Sequence, residues 1–407
     1  MATATDITIV GGGIAGASLA CALAREGLGV TVLEASTVFP DRVRGESMQC
    51  WGVLEARELG VEDVLLAAGA HMAPVWKQYL EGLPEPMEIP MGMLVPGVDG
   101  TLNLRHPTAC QALLDAAAGA GATVHRGAEH IELRLDGDPT VGFDVDGQPH
   151  EVRSSLVVGA DGRNSTVRRQ AGLALERQEP TTFITGLLVD GLTGVPDEFD
   201  AIATEGGTFF LLFHQGQGRA RVYICGDVAD QRRFAGPDAT EHLIAACDVA
   251  CFPWREQVMA ASPAGPCASY VGDDTWTAQP AAGRVVLIGD AAGHNDPIVG
   301  QGLSIALRDA RTVRDVVLDG TRDAAGFAGY ASERVERMQR VRLLADVMAA
   351  VHGESADNAD ARRAWFVEGM STMKPELFPV ILAAFTGPET MPPEAVDPGL
   401  VDRIRAL

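Results

Sequence analysis

Residues 11–16 have the types and spacing that suit nucleotide chemistry. They read GGGIAG, which satisfies the pattern GxGxxG directly after an apolar run and directly before a helical stretch. In such a turn Gly11 permits a tight bend, Gly13 lets backbone amides approach a pyrophosphate, and Gly16 allows close packing of helix on strand. The helix N-terminus adds partial positive charge for the phosphates. This segment therefore predicts a dinucleotide site, the alternative being a turn used only for packing.

An acidic residue stands at the end of the next predicted strand. Glu34 follows the apolar run 30–33 and lies 21 residues beyond Gly13. A carboxylate at this position accepts hydrogen bonds from a ribose 2′-hydroxyl and disfavours a 2′-phosphate, so NADP(H) is a poor occupant of this turn. The motif alone leaves both NAD and FAD open.

Two further segments contain glycine next to aspartate. Residues 156–168 (LVVGADGRNSTVR) run from an apolar strand into a polar turn, and residues 285–310 begin with a strand that ends in Gly-Asp and continue through a Pro-Gly turn into a helix. With GxGxxG, an Asp-Gly and a Gly-Asp motif in this order, the sequence resembles the flavoprotein monooxygenases of the para-hydroxybenzoate hydroxylase type. The resemblance extends from residue 7 to about residue 318 and implies that the dinucleotide is FAD.

The resemblance also implies roles for individual residues. Asp290 would hydrogen-bond the ribityl chain, and the turn from Pro297 to Gly302 would lie against the flavin, with its helix N-terminus stabilising the anionic reduced ring. Pro297, at the flavin edge, is the candidate catalytic position. The predicted FAD-binding residues are Gly11, Gly13, Ile14, Ala15, Gly16, Glu34, Arg44, Arg105, Gln111, Asp161, Gly162, Asp290, Gly300, Gly302 and Leu303.

One position departs from the family pattern. The family commonly has histidine directly after Gly-Asp-Ala-Ala, whereas this sequence has Gly293 there, followed by His294. We assign no role to His294. The alternative is a loop histidine that lies in solvent or is hydrogen-bonded locally.

The implied activity is that of an FAD-dependent monooxygenase. NADPH or NADH would reduce FAD, O2 would add at flavin C4a, and the hydroperoxide would transfer one oxygen atom to a small aromatic or polycyclic substrate. Because the cofactor makes the bonds while the protein positions the substrate and excludes water, we expect no metal site and no dedicated reductase. One alternative is a flavin-dependent reductase or oxidase of the same fold without oxygen insertion. Another is a flavoprotein used for binding, or one without flavin.

Related halogenases use a lysine and a Trp-x-Trp-x-Ile-Pro segment. Lys77 is present, but no tryptophan pair of that form occurs, so halogenation is disfavoured. For the substrate, Arg219, Arg221 and Tyr223 alternate along one predicted strand and share a face. Arg221 and Tyr223 are therefore candidates for holding an acidic or phenolic substrate, a solvated sheet face being the alternative. The Met- and Pro-rich segment 86–93 is either a lid or pocket wall or ordinary core packing.

The elements that must position these residues predict an α/β protein. We predict a Rossmann-like FAD-binding domain from residues 1–72, 104–179 and 280–330, interrupted by a mainly β substrate-binding domain from residues 73–103 and 180–279. A helical C-terminal region follows at residues 331–407. Within the β domain, residues 208–214 and 219–225 form a predicted hairpin around the turn QGQG.

Composition narrows the partners and the location. Among 407 residues, 55 acidic side chains outnumber 32 basic ones, giving a net charge of −23, which disfavours nucleic acid and anionic membrane surfaces. No apolar run approaches the roughly 18 residues of a membrane helix, and a strand rather than a presequence begins the chain, so we expect a cytoplasmic protein. The seven scattered cysteines show no metal-binding spacing and are expected to be buried or incidental thiols.

Overall fold

The computed structural model describes residues 3–43 and 45–407. The strands are β1 Thr3–Ala4, β2 Ile7–Val10, β3 Val30–Glu34, β4 Ser47–Met48, β5 His71–Ala73, β6 Val75–Leu80, β7 Met87–Pro90, β8 Thr101–Asn103, β9 Thr123–Arg126, β10 Glu129–Arg134, β11 Thr140–Val145, β12 Gln148–Arg153, β13 Leu156–Gly159, β14 Glu176–Arg177, β15 Thr182–Asp190, β16 Phe199–Glu205, β17 Thr208–His214, β18 Arg219–Asp227, β19 Ser262–Pro263, β20 Ala268–Gly272, β21 Thr275–Trp276, β22 Ala281–Ala282 and β23 Val285–Leu287.

The helices alternate with strands in the first half of the chain and dominate its last quarter. They are α1 Ile14–Arg25, α2 Cys50–Glu58, α3 Glu62–Ala67, α4 His106–Gly119, α5 Thr166–Gln170, α6 Ala239–Ala246, α7 Arg255–Ala260, α8 Gly302–Leu318, α9 Ala328–Met348, α10 Ala359–Ser371, α11 Phe378–Thr386 and α12 Leu400–Arg405. In the described part of the chain, none of the helices combines the length and the apolarity that crossing a lipid bilayer requires.

A six-stranded sheet carries the three glycine motifs. Its order is β22-β23-β13-β2-β3-β9, with five parallel strands and β22 antiparallel at one edge. The runs 7–10 and 30–34 are buried along their whole length, as expected for apolar strands covered on both faces. Val10, Gly159 and Leu287 lie side by side in the register. Because the carboxyl ends of parallel strands meet at one edge, the three motifs converge there.

An eight-stranded sheet forms the second layer of the molecule. Its order is β19-β15-β18-β17-β16-β6-β7, with β20 also paired to β15. The predicted hairpin is present as β17 and β18, with Phe210 opposite Ile224. One face of the sheet packs its buried side chains, such as Phe210 and Leu212, against α6 and α7. The other face borders the cavity described below.

The C-terminal helices pack against both layers. Helix α9 ends in a single wide π turn at 349–353 and contacts α8, α11 and α12. Helix α11 also contacts α2, and its apolar residues Val380 and Ala383 join the core that includes the parallel sheet. The predicted fold class, a Rossmann-like α/β region with a β region and C-terminal helices, is confirmed.

Candidate cofactor and substrate site

A cavity of about 870 Å³ extends from the carboxyl edge of the parallel sheet to the face of the eight-stranded sheet. Gly13, Asp161 and Asp290, one residue from each motif, line it at the sheet edge. Trp76 and Phe385 line it on the far side. The three motifs therefore open into the same space as a large apolar wall.

The GxGxxG turn approaches its neighbours without room for side chains at two positions. A Cβ on Gly11, whose φ is +106°, would lie 2.2 Å from the Ala160 carbonyl oxygen, and one on Gly16 would lie 2.0 Å from the Gly11 carbonyl oxygen. Both positions therefore require glycine. Gly13 differs, because a Cβ there would meet no protein atom within 4 Å. Its backbone faces open cavity, together with Ile14 and Ala15.

The Glu34 carboxylate is held in a fixed orientation beside this turn. Its Oε2 accepts a hydrogen bond from the Gly12 amide at 2.7 Å, and its Oε1 accepts one from the Ser36 amide at 2.7 Å. The side chain is buried and lines the cavity. Each oxygen retains a lone pair that can accept a hydrogen bond from a sugar hydroxyl.

The Asp161 carboxylate shapes the second turn. Its oxygens accept hydrogen bonds from the Ser165 hydroxyl at 2.5 Å and from the amides of Thr166 and Val167 at 2.6 and 3.1 Å. These bonds satisfy the start of α5. Gly162, with φ of +76°, lines the cavity, and a Cβ on it would have no protein atom within 4 Å. Asp161 thus fixes a turn whose open side faces the cavity.

The Gly-Asp turn is held from the C-terminal helix α9. Arg334 donates hydrogen bonds to the carbonyl oxygens of Gly289, Ala292 and Gly293 at 3.2, 2.9 and 2.9 Å. It also pairs with Asp309 at 2.9 Å, and Asp309 accepts the Gly289 amide at 2.8 Å. Burial opposes ionisation of Asp309, but the charges and hydrogen bonds of the arginines outweigh it and lower the pKa of this carboxyl.

This network leaves Asp290 on the cavity side of the turn. Its carboxylate lines the cavity and lies 3.4 Å from the Arg163 guanidinium. Arg334 and Asp309 were not singled out in the sequence, since an arginine in a charged helix and an aspartate in an amphipathic one are usually solvent-exposed. The periodicity of α8 does place Asp309 beside apolar residues, which is the signal that was available.

The turn 296–302 begins helix α8 at the cavity. Asp296 accepts hydrogen bonds from the Ile298 amide at 2.9 Å and the Thr182 hydroxyl at 2.8 Å, and burial raises its pKa to about 6. Gly300 adopts a left-handed conformation with φ of +62°. No side chain caps the start of α8, so its first amides remain available to a ligand. Pro297, Gly300, Gly302 and Leu303 all line the cavity.

The residue that follows Gly-Asp-Ala-Ala is required to be glycine by its surroundings. Gly293 has a φ of +113°, and a Cβ there would lie 2.3 Å from the Thr275 carbonyl oxygen. His294 is buried, with Nδ1 2.8 Å from the Thr275 hydroxyl and Nε2 3.1 Å from the Asp273 carboxylate. Of the two settings considered for this loop histidine, solvent or local hydrogen bonding, the second is the one observed.

Besides Gly16, which packs against the Gly11 carbonyl, two predicted FAD-binding residues do not line the cavity. Gln111 is exposed and donates a hydrogen bond to Asp115 at 2.7 Å. Arg105 is partly exposed and lies 3.8 Å from Asp41. A third, Arg44, lies outside the described residues. The roles of these three residues, like those of the other predicted site residues, stay predictions.

The two candidate substrate residues are placed differently from each other. Tyr223 lines the cavity. Arg221 is fully buried and donates hydrogen bonds to both carboxylate oxygens of Glu46 at 2.7 and 2.9 Å, with Asp41 at 3.2 Å. Its guanidinium charge is therefore already compensated, and the residue is not part of the cavity lining.

An apolar chamber forms the far half of the cavity. Segment 86–93 contributes β7, and its Met87 and Ile89 belong to the lining, so it is a wall strand. Helices α10 and α11 supply the opposite wall, which could not be assigned from the sequence because this region carries no motif. The lining side chains of these two helices and the segment between them are Phe366, Met370, Ser371, Phe378, Ile381, Ala384 and Phe385.

The half of the cavity at the carboxyl edge of the parallel sheet, here called the cofactor half, fits FAD in two respects. Gly13, Gly162 and Gly302 leave open backbone where a Cβ would meet no protein atom. The Ser47 hydroxyl and the Gln49 carboxamide oxygen are buried at the same cavity without a hydrogen-bond partner among the described residues. Buried polar atoms of this kind are normally paired, so both fit a polar ligand. Within residues 3–43 and 45–407, no group of three or more His, Cys, Asp or Glu is arranged to hold a metal ion.

Comparison with known proteins gives relatives among flavoenzymes. Rifampicin monooxygenase of Streptomyces venezuelae is 28% identical over 345 residues, which cover 81% of this chain and 66% of the relative. Ubiquinone hydroxylase UbiL of Rhodospirillum rubrum is 27% identical over 330 residues, covering 76% of this chain and 71% of the relative. The chain thus spans just under two thirds of the length of the first of these relatives.

Solved structures show the same fold. The flavin-dependent brominase Bmp2 superposes with a TM-score of 0.76 at 19% identity, and the match covers 99% of this chain and 98% of the brominase. The family model for the FAD binding domain matches residues 4–344. Since this match takes in the glycine-rich, Asp-Gly and Gly-Asp turns that meet at the cavity, the chain belongs to the family of proteins defined by this FAD binding domain.

Proposed function

We propose that the protein is an FAD-dependent monooxygenase that uses NADPH or NADH and O2 to insert one oxygen atom into a small aromatic or polycyclic substrate. The observation that carries the proposal is the continuity of the cavity. The turn 297–302 lies on the lining between the three motifs and the apolar chamber. Bound FAD would supply electron transfer from the nicotinamide to O2, and the protein would bring a substrate beside it.

The residues that line the cofactor half of the cavity would hold FAD. Open backbone at Gly13 and the N-terminus of α1 suit a pyrophosphate, and the free lone pairs of Glu34 suit ribose hydroxyls. Asp290 is the acceptor proposed for the ribityl chain. The uncapped amides at the start of α8 would stabilise negative charge on the reduced flavin ring.

The residues of the apolar chamber would position the substrate and exclude water. Trp76, Phe213 and Phe385 pack together, with ring centroids 6.1 and 5.1 Å from Trp76, and form a wall without ionised groups. A wall that excludes water strengthens the electrostatic interactions at the reacting centre and limits side reactions with water. Pro297, which has no N–H to donate, would line the point where oxygen is transferred.

Halogenation receives no support from the lysine considered in the sequence. The Lys77 ammonium pairs with Glu88 at 2.7 Å and lies 5.2 Å from the centre of the Phe199 ring. Lys77 is not among the residues that line the cavity. The likeness to the brominase is one of fold. One alternative that remains is a reductase or oxidase of the same fold, which would insert no oxygen atom from O2 into an organic product.

The test is a rapid-mixing experiment on the FAD-loaded protein with NADPH or NADH and no second protein. We expect direct reduction of the flavin, followed on mixing with O2 by a transient absorbance band that precedes the oxidised spectrum. Isotopically labelled O2 should then leave one labelled atom in an aromatic product. Flavin that returns directly to its oxidised spectrum while peroxide accumulates, with no labelled product from a panel of aromatic substrates, would support the oxidase alternative.

A further inference from the structure

The wall of the chamber is distinctive in its charge. The charged residues of the cavity lining are Glu34, Arg42, Glu46, Asp161, Arg163 and Asp290, and all lie at or after the ends of the parallel strands or in segment 39–49. Among the described lining residues, the eight-stranded sheet and the C-terminal helices contribute no charged side chain. Since burying an ionised group without a partner is costly, this wall favours an uncharged ligand.

Arg221 shares a face of the sheet with Tyr223 but adds no uncompensated charge to the chamber wall. Arg221 lies on the strand position two residues from Tyr223, but its two hydrogen bonds to Glu46 and its contact with Asp41 compensate its charge. The third nitrogen of the guanidinium, Nη1, has no hydrogen-bond partner among the described residues, but Arg221 is fully buried and is not part of the cavity lining. The candidate binding group for an acidic substrate therefore does not face the chamber.

Few polar side chains lie in this wall, and among the described residues one of them has a buried polar atom without a hydrogen-bond partner. Gln78 lies on β6, between Met87 of β7 and Ile202 of β16 in the register, and lines the cavity. It is 7% exposed, and its Nε2 has no hydrogen-bond partner among the described residues. By contrast, the Ser371 hydroxyl donates to the Glu368 carbonyl oxygen, and Tyr270 is partly open to solvent.

We propose that the chamber binds a neutral, mainly apolar ring system with one carbonyl oxygen, and that the Gln78 carboxamide donates a hydrogen bond to that oxygen. An unpaired amide in an apolar wall is unfavourable, and a ligand acceptor that pairs with it removes the penalty. Gln78 is then the specificity-determining residue, and the turn 297–302 faces the ring that it orients. This inference rests on the proposed monooxygenase function and extends it by naming its substrate class.

The test measures binding by calorimetry on FAD-loaded protein, so it needs no turnover. The probes are 1-tetralone, tetralin and 1-naphthoate, which offer a similar ring with a carbonyl, with no polar group and with an acid. We expect 1-tetralone to bind about fivefold more tightly than tetralin, and 1-naphthoate to bind more weakly than 1-tetralone. Gln78→Leu should abolish the preference for 1-tetralone without weakening tetralin.

Two further variants keep the result decisive. Gln78→Met should behave as Gln78→Leu does, and serves if the leucine variant loses FAD. Gln148→Leu, an exposed glutamine on β12, should retain the wild-type preference. The inference is overturned if the apolar variants keep the preference for 1-tetralone, if 1-naphthoate binds most tightly, or if no probe binds.

The two proposals fail in different ways. If the Gln78-dependent preference is found but no oxygen from O2 reaches any product, the monooxygenase function is wrong and the ligand class stands. If labelled product forms but the Gln78 variants do not change ligand preference, the function stands and the ligand class is wrong.

Discussion

The two halves of the cavity are built in different ways. The cofactor half is bounded by backbone and charge: three turns follow adjacent parallel strands, and Gly11 and Gly16 allow no Cβ. The chamber is bounded by the side chains of β6, β7, the cavity face of the second sheet and helices α10 and α11. One half therefore depends on backbone geometry that few residue types permit, whereas the other depends on the volume of apolar side chains that are exchangeable.

The largest expected effect comes from replacing a side chain that supports the cofactor half without lining the cavity. Arg334→Met would leave Asp309 with one arginine fewer and remove a hydrogen bond from each of three turn carbonyls, of which Ala292 keeps the Thr277 amide as a donor. We expect a loss of about 3–5 kcal/mol in the free energy of unfolding and a lower FAD-to-protein ratio. Chemical denaturation and flavin absorbance measure both.

The control is Arg340→Met on the same helix, because Arg340 pairs with the exposed Glu336. It should cost less than about 1 kcal/mol and retain FAD. Equal losses in the two variants would contradict the role given to Arg334.

A pair of glycine variants separates folding from cofactor binding. Gly16→Ala places a Cβ 2.0 Å from the Gly11 carbonyl oxygen, so we expect a loss of about 1–3 kcal/mol or more in stability together with loss of FAD. Gly13→Ala meets no protein atom within 4 Å and should leave the stability of the FAD-free protein nearly unchanged while weakening FAD binding. Denaturation of the apoproteins and FAD titration give the two quantities; unchanged FAD affinity in Gly13→Ala would be evidence against a pyrophosphate at this turn.

A smaller effect is expected from a variant in the chamber, where ligand affinity rather than FAD content should change. Phe385→Leu removes an aromatic ring that packs against Trp76 at 5.1 Å. We expect about 1 kcal/mol or less of destabilisation, since apolar replacements of similar volume are tolerated, with FAD content unchanged and the affinity for 1-tetralone altered. Loss of FAD in this variant would show that the two halves are not separable.

The smallest expected effect concerns pH. Burial raises the pKa of Asp274 to about 8 and that of Asp296 to about 6, from 3.8. A carboxyl with a higher pKa in the folded state binds its proton more tightly when folded. Its contribution to stability is therefore full below pH 3.8 and is lost as pH rises from there to about 6 for Asp296 and to about 8 for Asp274. Asp274→Asn should flatten the fall in melting temperature over this range. The exposed Asp136→Asn is the control, and a profile equally steep in both variants would assign the dependence to other groups.

The cofactor half could largely be predicted from the sequence, because each motif lies within a few residues of the strand that positions it. Glu34 and the three turns meet at one sheet edge as parallel-strand geometry requires. The chamber could not, because its walls come from distant segments with no pattern beyond apolarity. Arg221 was a candidate for binding substrate, but its partner Glu46 lies 175 residues away, and pairing at that separation is decided by tertiary packing.

The attachment of the Gly-Asp turn to α9 also bears on how the protein matures during synthesis. Strands β2, β13 and β23 are neighbours in the sheet, yet the pairing of β2 with β13 and that of β13 with β23 each join segments more than 100 residues apart. The last support of the turn, Arg334, emerges from the ribosome only after every strand of both sheets. With pairings of such high sequence separation, folding is slow, and we expect nascent chains that end before α9 to retain FAD poorly. Cofactor capture would then mark the moment at which α9 has been translated and docked.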